Sequence, residues 1–581
     1  MSEHIYQKSI KGKTYYYLQS TWREKVDQSN NGKHKGTGRS RVRTKSKYLG
    51  TEEDIIKKLT ENREPIEAHS LEFGLVGATY QTALDIGLVD LLKEHIKGER
   101  FGIERWKFFL LTIINRLQNA TSKESMGKWV EKTILPQIID FEPKKINSKN
   151  FWTVTEDIIN ERELKKKRQE NPELLEELFA GIEDEIFQKI EEQLFIKICK
   201  DFEVTSDVLL YDTTNFFTYI EEPARSKLAL TGHSKEGRHN KKLIGLAMCV
   251  DKEFGIPMFY RIYRGNSHDS KTFSGIIDKM IEQLSLGFKQ IKEMVLVMDK
   301  GNNSKANFKA LKGKIKWVGS LVLSQFSDLD NLPLNKYADT CEGFLYYRCK
   351  REVMGIESSL VLTYNKKLAA KQNHSLSNGI EKLIKKIQLT WSEYKRKVRE
   401  VPSKIKNILK ESHYGNFLNV SCQAGKPVFS LNTSIIEEYR KSFGKNLLFS
   451  CDVAAETSWI ITQYKAKSKI EDDFKLIKAP DLIRWRPIRH WTDTKIRAFG
   501  FCCIMALVLI KIMQLKAARA DMEMSAAVLK QELSDLRQTI MIYDDKTAHT
   551  KITQASSIQK RLSEVFNLNT IESQLTIHKI T

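Results

Sequence analysis

The order of strand and helix patterns between residues 207 and 323 constrains the fold of this chain more than any other feature. Short apolar runs bounded by turn residues predict strands, and apolar residues at i, i+3, i+4, i+7 and i+8 after Asp269 predict a helix with one apolar face. The resulting order, βββαβαβ, indicates an α/β core. Its predicted strands lie at 207–212, 243–250, 258–263, 294–299 and 317–323, and its helices begin at 269 and 304.

Two of these apolar runs end on an acid, Asp212 in the first strand and Asp299 in the fourth. A carboxylate at the exit of a buried strand is fixed by the sheet backbone and can ligate a metal ion. Acids make up 73 of the 581 residues, so either aspartate alone would more often be a capping or turn residue. Two such strand ends in one unit favour a metal site.

A third acid lies on a predicted helix over residues 454–478, where Tyr464, Lys467, Glu471 and Lys478 share one face. At about 100° per residue, their spacings of three, four and seven positions bring all four into a narrow sector. An apolar stripe beside that face predicts packing against a sheet. The stripe consists of Trp459, Ile470, Phe474 and Ile477. An ordinary ladder of surface charges would show the same spacing.

Five short blocks in this order resemble the DDE transposases of bacterial insertion sequences, in the superfamily marked by Y-x-x-R-x-x-x-E-x-x-x-x-x-x-K. The resemblance spans roughly residues 207–514. Each block is weak alone, but their order and spacing together are specific. The blocks are YDTT at 211–214, GHSKEGR at 232–238, GNSHDS at 265–270, VMDKG at 297–301 and IEDDF at 470–474.

The resemblance implies an RNase-H-like catalytic core, a mixed sheet with flanking helices, interrupted by a β-rich insertion and preceded by a mostly helical region. It places the family's catalytic, metal-binding acids on Asp212, Asp299 and Glu471, with two Mg²⁺ ions, or Mn²⁺ instead, as cofactors. It also implies cleavage at the ends of the element and joining of 3′-hydroxyl ends to target DNA. Tyr464 and Lys478 would hold backbone phosphates. Lys467 replaces the signature arginine and keeps its charge but not its bidentate fork.

The net charge of +22 points to a polyanionic partner, and double-stranded DNA comes first. The excess is concentrated in three stretches. Residues 1–50 hold 12 basic against 3 acidic residues, residues 391–410 hold 7 against 2, and residues 464–497 hold 10 against 5. Any one of these runs could equally be a solvated helix face or tail.

Three arginines in the last stretch, Arg484, Arg486 and Arg489, are candidate DNA contacts. They are interleaved with Trp485 and Trp491, which could stack on unpaired bases at a DNA end. Packing of the two tryptophans in the core explains the pattern equally well.

The chain is too long for one core, and composition shifts divide it into six segments. Residues 13–18 are predicted as an edge strand and residues 30–43 as a loop. A long basic helix is predicted over 380–401, and two further helices over 454–478 and 492–514. Residues 524–541 are predicted as an amphipathic stretch. The segments are a basic, candidate DNA-binding arm (1–65), a helical domain for DNA ends (66–206), the first part of the core (207–323), the insertion (324–452), the second part of the core (453–515) and a C-terminal helical tail that is a candidate dimer contact (516–581).

The longest apolar run, residues 499–510, is shorter than the roughly 18 residues of a membrane span and predicts a buried helix. No basic-then-apolar leader opens the chain, and its 8 cysteines form no C-x-x-C pair. These features predict a zinc-free, reduced, intracellular protein with no membrane partner. The resemblance to bacterial transposases implies the bacterial or archaeal cytoplasm and association with the nucleoid.

Two other functions compete with a transposase that acts as a homodimer on two DNA ends. One is a domesticated DNA-binding protein that kept the fold and lost transposition. The other is a related metal-dependent DNA nuclease. The presence of all three acids favours an enzyme over the first, and the long insertion with the Tyr464-to-Lys478 helix favours a transposase over the second.

Overall fold

The computed structural model describes residues 2–25, 40–60, 64–158, 185–204, 206–220, 226–235, 237, 240–341, 343–394, 399–543 and 547–575. The chain separates into two compact units. The smaller comprises Met1–Ser70 and Thr539–Ile552, and the larger comprises Leu71–Gln538 and Thr553–Thr581. The six segments proposed from the sequence stay a prediction.

The smaller unit begins with a three-stranded antiparallel sheet of β1 (Ser2–Ile10), β2 (Lys13–Lys25) and β3 (Ser40–Gly50). The sheet is followed by α1 (Glu52–Thr60). The edge-strand prediction for residues 13–18 is wrong, because β2 pairs with β1 on one side and β3 on the other. Of the predicted loop 30–43, residues 40–43 belong to β3, and residues 30–39 lie outside the described part of the chain.

A second three-stranded sheet pairs β4 (Glu67–Glu72) with two strands near the C-terminus, Arg537–Ile542 and Ala548–Ile552. The first of these C-terminal strands follows a helix, Ala526–Ser534, so the amphipathic stretch 524–541 is half helix and half strand. The prediction of a wholly helical tail is therefore wrong. Two further helices, Ser557–Val565 and Leu568–Gln574, complete the described C-terminal region.

The region after β4 is helical, as predicted for its described residues; residues 159–184 and 205 lie outside them. Its helices are mostly short. A small hairpin of two-residue strands, β5 (Glu99–Arg100) and β6 (Ile103–Glu104), interrupts them. The helices are α2 (Gly74–Asp85), α3 (Leu88–His95), α4 (Arg105–Gln118), α5 (Met126–Val130), α6 (Leu135–Ile138), α7 (Ser148–Ile158) and α8 (Glu185–Asp201).

The predicted βββαβαβ order is confirmed between residues 207 and 323, with one additional short strand. The elements are β7 (Val208–Phe217), β8 (Leu230–Thr231), β9 (Lys242–Asp251), β10 (Pro257–Arg264), α9 (Asp269–Gly287), β11 (Val295–Met298), α10 (Lys305–Leu311) and β12 (Lys316–Leu321). β11 is parallel to both β7 and β12, whereas β7 and β10 are antiparallel to β9. The sheet is therefore mixed, and helices flank it.

The sheet continues into the segment predicted as a β-rich insertion. The described residues form one ten-stranded sheet in the order β10-β9-β7-β11-β12-β18-β15-β14-β13, with β8 beside β9. Its added strands are β13 (Ala338–Cys341), β14 (Phe344–Val353), β15 (Ile356–Tyr364) and β18 (Lys445–Ser450). The remaining strands, β16 (Leu418–Gln423) and β17 (Lys426–Leu431), form a separate hairpin.

The helices of this segment pack around that hairpin in a hydrophobic cluster of their own, which includes Leu383, Ile387, Trp391 and Phe417. Four helices lie in this part of the described chain: the short α11 (Ser327–Asp330), then α12 (Lys366–Ser392), α13 (Ser403–Glu411) and α14 (Thr433–Arg440). The basic helix predicted over 380–401 is part of α12, which starts 14 residues earlier and ends at residue 392. Residues 395–398 of that prediction lie outside the described part.

The predicted helix over 454–478 is two helices, α15 (Thr457–Lys465) and α16 (Ser468–Lys478), separated by a turn at residues 466–467. The predicted helix over 492–514 is confirmed as α17 (Asp493–Arg519), whose first turn is capped by the Thr492 side chain. Among the described residues, α17 is the one helix long and apolar enough to cross a bilayer, but 94% of its most apolar stretch is buried inside the protein. It is the buried helix that the sequence predicted, and Cys502 and Cys503 lie within it.

Candidate active site

The parallel pairing of β7 and β11 brings the first two predicted acids side by side. Tyr211 in β7 is paired with Met298 in β11, so Asp212 and Asp299, one residue further along each strand, occupy neighbouring positions. β11 ends at Met298, as predicted, but β7 continues through Phe217. The expectation that Asp212 ends its strand is therefore wrong, because the following residues pair with β9.

Asp212 lies on the face of β7 opposite to Tyr211, which is fully buried with its ring 4.5 Å from that of Phe273. Its Oδ1 accepts a hydrogen bond from the Thr213 amide at 2.8 Å. Burial raises the pKa of Asp212, and the positive charges of Lys467 and Lys235 oppose that shift.

Asp299 is held by the backbone and by two hydroxyl groups. Its Oδ1 accepts from the Lys300 amide at 2.8 Å and from Ser320 Oγ at 3.2 Å, and Tyr464 Oη lies 3.3 Å away. Burial disfavours the charged carboxylate, but the Lys467 ammonium and these hydrogen bonds outweigh it, and the pKa of Asp299 is lowered.

The ammonium group of Lys467 lies among all three predicted acids. Its Nζ is 3.7 Å from Asp212 Oδ2, 3.2 Å from Asp299 Oδ2 and 3.4 Å from Glu471 Oε1. The Lys467 side chain is 11% exposed, and although burial disfavours its charge, Asp212 and Asp299 raise its pKa. Three carboxylates from two strands and one helix thus converge on a single cation.

Tyr464 and Lys478 point to the same edge of the sheet, as the shared helix face predicted. Tyr464 Oη lies 2.9 Å from Ser320 Oγ, and burial raises the pKa of this phenol. Lys478 Nζ donates to Thr214 Oγ1 at 2.7 Å and lies 5.3 Å from the centre of the Phe216 ring. The predicted face is preserved across the turn between α15 and α16.

The apolar side of α16 packs as predicted. Ile470, Phe474 and Ile477 are buried, whereas Trp459 on α15 is only partly buried. Burial of this stripe fixes the rotation of the helix and so presents Glu471 to the acids on the sheet.

Arg484, Arg486 and Arg489 line a different cavity, together with side chains of the helical region. Trp485 between them is fully buried and stacks on Phe216 with ring centres 4.6 Å apart, so core packing is confirmed for this tryptophan. Trp491 is 63% exposed. Arg486 Nε donates to the Lys478 carbonyl at 3.3 Å, so this segment adjoins the end of α16. The DNA contacts of the three arginines stay a prediction.

Two polar contributors to the site were not assigned from the sequence. Ser320 follows Gly319, which is paired with Met298, so the register of β11 and β12 places it beside Asp299. Lys235 Nζ donates to the Thr213 carbonyl at 2.7 Å and contacts Asp269 Oδ2 at 3.1 Å. Lys235 belongs to the GHSKEGR block, which contributes to the family resemblance, but the sequence does not assign a role to this lysine. Residues 236 and 238 of that block lie outside the described part.

Glycines explain why two of the blocks occur together. A Cβ on Gly232 would meet the Gly265 carbonyl oxygen at 2.2 Å, and a Cβ on Gly265 would meet the Leu243 carbonyl oxygen at 1.9 Å. Only glycine permits this approach of the two backbones. This contact joins the segment that carries Lys235 to the segment that carries Asp269.

The three acids supply only hard carboxylate oxygens, the ligand type that Mg²⁺ and Mn²⁺ prefer. Within the described ranges, no three His, Cys, Asp or Glu side chains lie close enough together to ligate one metal ion. The carboxylates instead surround the Lys467 ammonium, a monovalent cation at the point on which they converge. The residue types fit a divalent metal, and Lys467 would have to withdraw to admit one.

Comparison with known proteins identifies the family of this chain. The domain family described as "Transposase DDE domain" matches residues 206–509, more than half of the chain, and the chain therefore belongs to this family. Among solved structures, a piggyBac transposase in a synaptic complex with hairpin DNA is similar at 10% identity and a TM-score of 0.40, over 87% of this chain and 84% of that one. No curated protein sequence matches the chain.

Proposed function

We propose that this protein is the transposase of an insertion sequence, which binds terminal inverted repeats, cleaves at the element ends and joins the 3′-hydroxyl ends to target DNA. The observation that supports it best is the convergence of Asp212, Asp299 and Glu471 on one cation at the sheet edge. The mixed sheet with flanking helices is consistent with an RNase-H-like core.

In this proposal Asp212, Asp299 and Glu471 hold two Mg²⁺ ions, with Mn²⁺ as an alternative. When bound, such a pair activates the attacking oxygen and stabilises the leaving oxygen of an in-line displacement. The protein's own contribution is positioning. Ser320 and Tyr464 orient the Asp299 carboxylate, and Lys235 holds the β7 backbone next to Asp212 through the Thr213 carbonyl.

Basic groups around the acids bind DNA phosphates in this proposal. Lys478 and Tyr464 lie at the same sheet edge as the acids, and Lys467, once released from the carboxylates, adds a point charge. The partner is double-stranded DNA, from both the element ends and the target. We place the protein as a homodimer in the synaptic complex, in the bacterial or archaeal cytoplasm and associated with the nucleoid.

The direct test is a cleavage and joining assay on DNA that carries the terminal repeats flanking the coding sequence. Purified protein with Mg²⁺ or Mn²⁺ is expected to release 3′-hydroxyl ends and to join them to a target duplex, and to do neither with EDTA. Specific binding of the repeats without any cleavage in either metal would reject the enzymatic function.

One observation favours a second candidate, a DNA-binding protein of this family without catalysis. The Lys467 ammonium neutralises the acids at the place where a metal would bind. If this lysine cannot be displaced, the protein binds DNA but does not cleave it. The assay would then show specific binding of the repeats without cleavage in either metal.

Replacing Lys467 by Met is expected to make thermal stability depend on divalent metal. Without metal the variant leaves three carboxylates facing one another, and we expect it to lose at least about 1 kcal/mol, which for a unit of this size is roughly 1 °C in melting temperature. Mg²⁺ or Mn²⁺ should then raise its melting temperature more than it raises that of the wild type. Lys469→Met, which removes an exposed lysine bonded to the Glu253 carbonyl, is the control. An equal response of both variants to metal would contradict the role of Lys467.

Replacing Lys478 by Ala is expected to weaken DNA binding to the same degree for all sequences. Loss of one phosphate contact should also reduce the slope of log K against log salt by about 1. Lys475→Ala is the matched control, because Lys475 lies on the same helix but pairs with Asp472 at the surface. Titrations at several salt concentrations measure the slope, and a slope unchanged by Lys478→Ala would exclude the contact.

A further inference from the structure

A cavity of about 420 Å³ lies between the helical region and the segment that follows α16. The end of α4, the turn after it and α7 contribute Arg116, Lys123 and Trp152. The opposite wall contains Arg484 and Arg489. The cavity is thus lined by cations from two distant parts of the larger unit.

The two cations from the helical side are buried, Arg116 at 3% and Lys123 at 7% exposure. Arg116 donates to Asn115 Oδ1 and to the Thr121 carbonyl, both of them neutral acceptors, and its Nε is buried without a partner. The Lys123 ammonium lies 4.5 Å from the centre of the Phe499 ring and 4.8 Å from that of Phe151. Within the described part of the chain, neither cation forms an ion pair with an acid.

Such an arrangement is costly for the empty protein, because a buried charge without a counter-charge is strongly disfavoured. Burial and, to a smaller extent, the positive charge of Arg116 lower the pKa of Lys123 to about 7. Burial also holds the pKa of the neighbouring His490 well below its usual value, and Lys123 and Arg116 add to that effect. Among the described residues, Glu124 is the one acid lining the cavity, and it is exposed. The missing counter-charge is therefore one that an anionic ligand can supply.

The chemistry of the lining selects phosphate. Guanidinium and ammonium groups together bind phosphate oxygens in charge-assisted hydrogen bonds. The volume is much larger than a phosphate ion and falls in the range of ligand sites, about 300–1,000 Å³. The Trp152 ring, in edge contact with His490 at 4.6 Å, adds an aromatic surface for a group attached to the phosphate. We propose that this cavity binds a phosphate group of a nucleic acid strand, through Arg116 and Lys123.

The proposal rests on the proposed function only for the source of the phosphate. The source is either a strand end, which carries a terminal phosphate, or an internal phosphodiester. The measurements below contain no divalent metal, so they do not depend on the acids or on cleavage.

The first experiment measures the melting temperature of the full-length protein in phosphate and in chloride at equal ionic strength. The wild type is expected to be stabilised by millimolar phosphate. Lys123→Met should lose most of that gain while melting at least as high as the wild type in chloride, because it removes a buried charge. Lys128 is an exposed lysine five residues further along the chain, and Lys128→Met should behave as the wild type. Absence of a phosphate response in the wild type, or its survival in Lys123→Met, overturns the proposal.

The second experiment measures binding of short duplexes with a 5′-phosphate or a 5′-hydroxyl. Lys123→Met is expected to bind at least about tenfold more weakly, which equals one decade of affinity or about 1.4 kcal/mol. A wild-type preference for the 5′-phosphate that the variant lacks identifies a strand end, and equal losses for both duplexes identify an internal phosphate. If Lys123→Met does not fold, Arg489→Gln on the exposed rim replaces it. DNA affinity unchanged in a folded variant overturns the nucleic acid assignment.

Discussion

Glu471→Gln is expected to reduce DNA cleavage by more than about 100-fold while leaving the fold intact. Even outer partners of metal ligands are worth 10–100-fold, so loss of a ligand's charge should cost more, at least about 2.7 kcal/mol of transition-state stabilisation. The fold should persist because the Glu471 side chain is 51% exposed and its ion pair is with Lys467 alone within the described residues.

The matched control for this variant is Asp472→Asn. Asp472 is the next residue along α16, but it points to solvent and pairs with Lys475. Cleavage rates with saturating DNA and Mg²⁺, together with melting temperatures, separate chemistry from folding. A Glu471→Gln protein that cleaves as fast as the Asp472→Asn protein would remove Glu471 from the catalytic site.

Lys511→Met is expected to destabilise the larger unit strongly. Lys511 on α17 forms an ion pair with Asp473 on α16, and the two side chains are 10% and 0% exposed. Removing one partner of a buried pair typically costs 3–5 kcal/mol, because the other charge is left unpaired. Burial raises the pKa of Asp473 to about 7 although Lys511 opposes the rise, so without Lys511 the acid takes up a proton more readily, and the loss should lie near the lower value, about 3 kcal/mol.

The same reasoning gives this loss a pH dependence. The pKa of Asp473 is raised in the folded protein, so its proton stabilises the fold at low pH, and that contribution is lost as pH rises through the folded pKa, about 7 in the wild type. Lys511→Met removes the charge that opposes this rise, so in the variant the decline continues above pH 7. Lys511→Met should therefore lose more stability at pH 8 than at pH 6. Thermal unfolding at the two pH values measures it, and an equal loss at both would contradict the pairing.

A double variant distinguishes loss of the pair from loss of packing. Lys511→Met with Asp473→Leu replaces both charges by apolar groups and should recover most of the stability. Lys475→Met, which breaks an exposed pair on α16, should leave unfolding unchanged. Because α16 carries Glu471, the single variant should also reduce cleavage, and the double variant should restore it.

Much of the candidate active site could be predicted from the sequence because it depends on local patterns. Asp212 and Asp299 follow apolar runs, and the strands that carry them turned out to be parallel neighbours. The spacing predicts that Tyr464, Lys467 and Glu471 share one helix face, and the family resemblance assigns Glu471 as the third acid. Tyr464 and Glu471 reach the same site although a turn at residues 466–467 divides the predicted helix. The DNA contact of Lys467 stays a prediction, and the structure places its ammonium among the acids.

The rest depends on pairings between distant residues, which leave no local signal. β18 joins β12 across more than 120 residues, and so the sheet continues into the predicted insertion. Ser320 becomes part of the site only through the register of β12 on β11. Arg484 and Arg489 are close to Glu471 along the chain, yet they face a cavity whose other wall comes from residues 116–152. No spacing rule connects those segments.

The most direct test of the account is a crystal structure with element-end DNA and Mn²⁺, in which anomalous scattering locates the metal. We expect manganese bound by the carboxylates of Asp212, Asp299 and Glu471, with the Lys467 ammonium withdrawn from them. Manganese bound elsewhere, with Lys467 still among the three acids in the presence of DNA, would contradict a metal-dependent active site at this edge of the sheet.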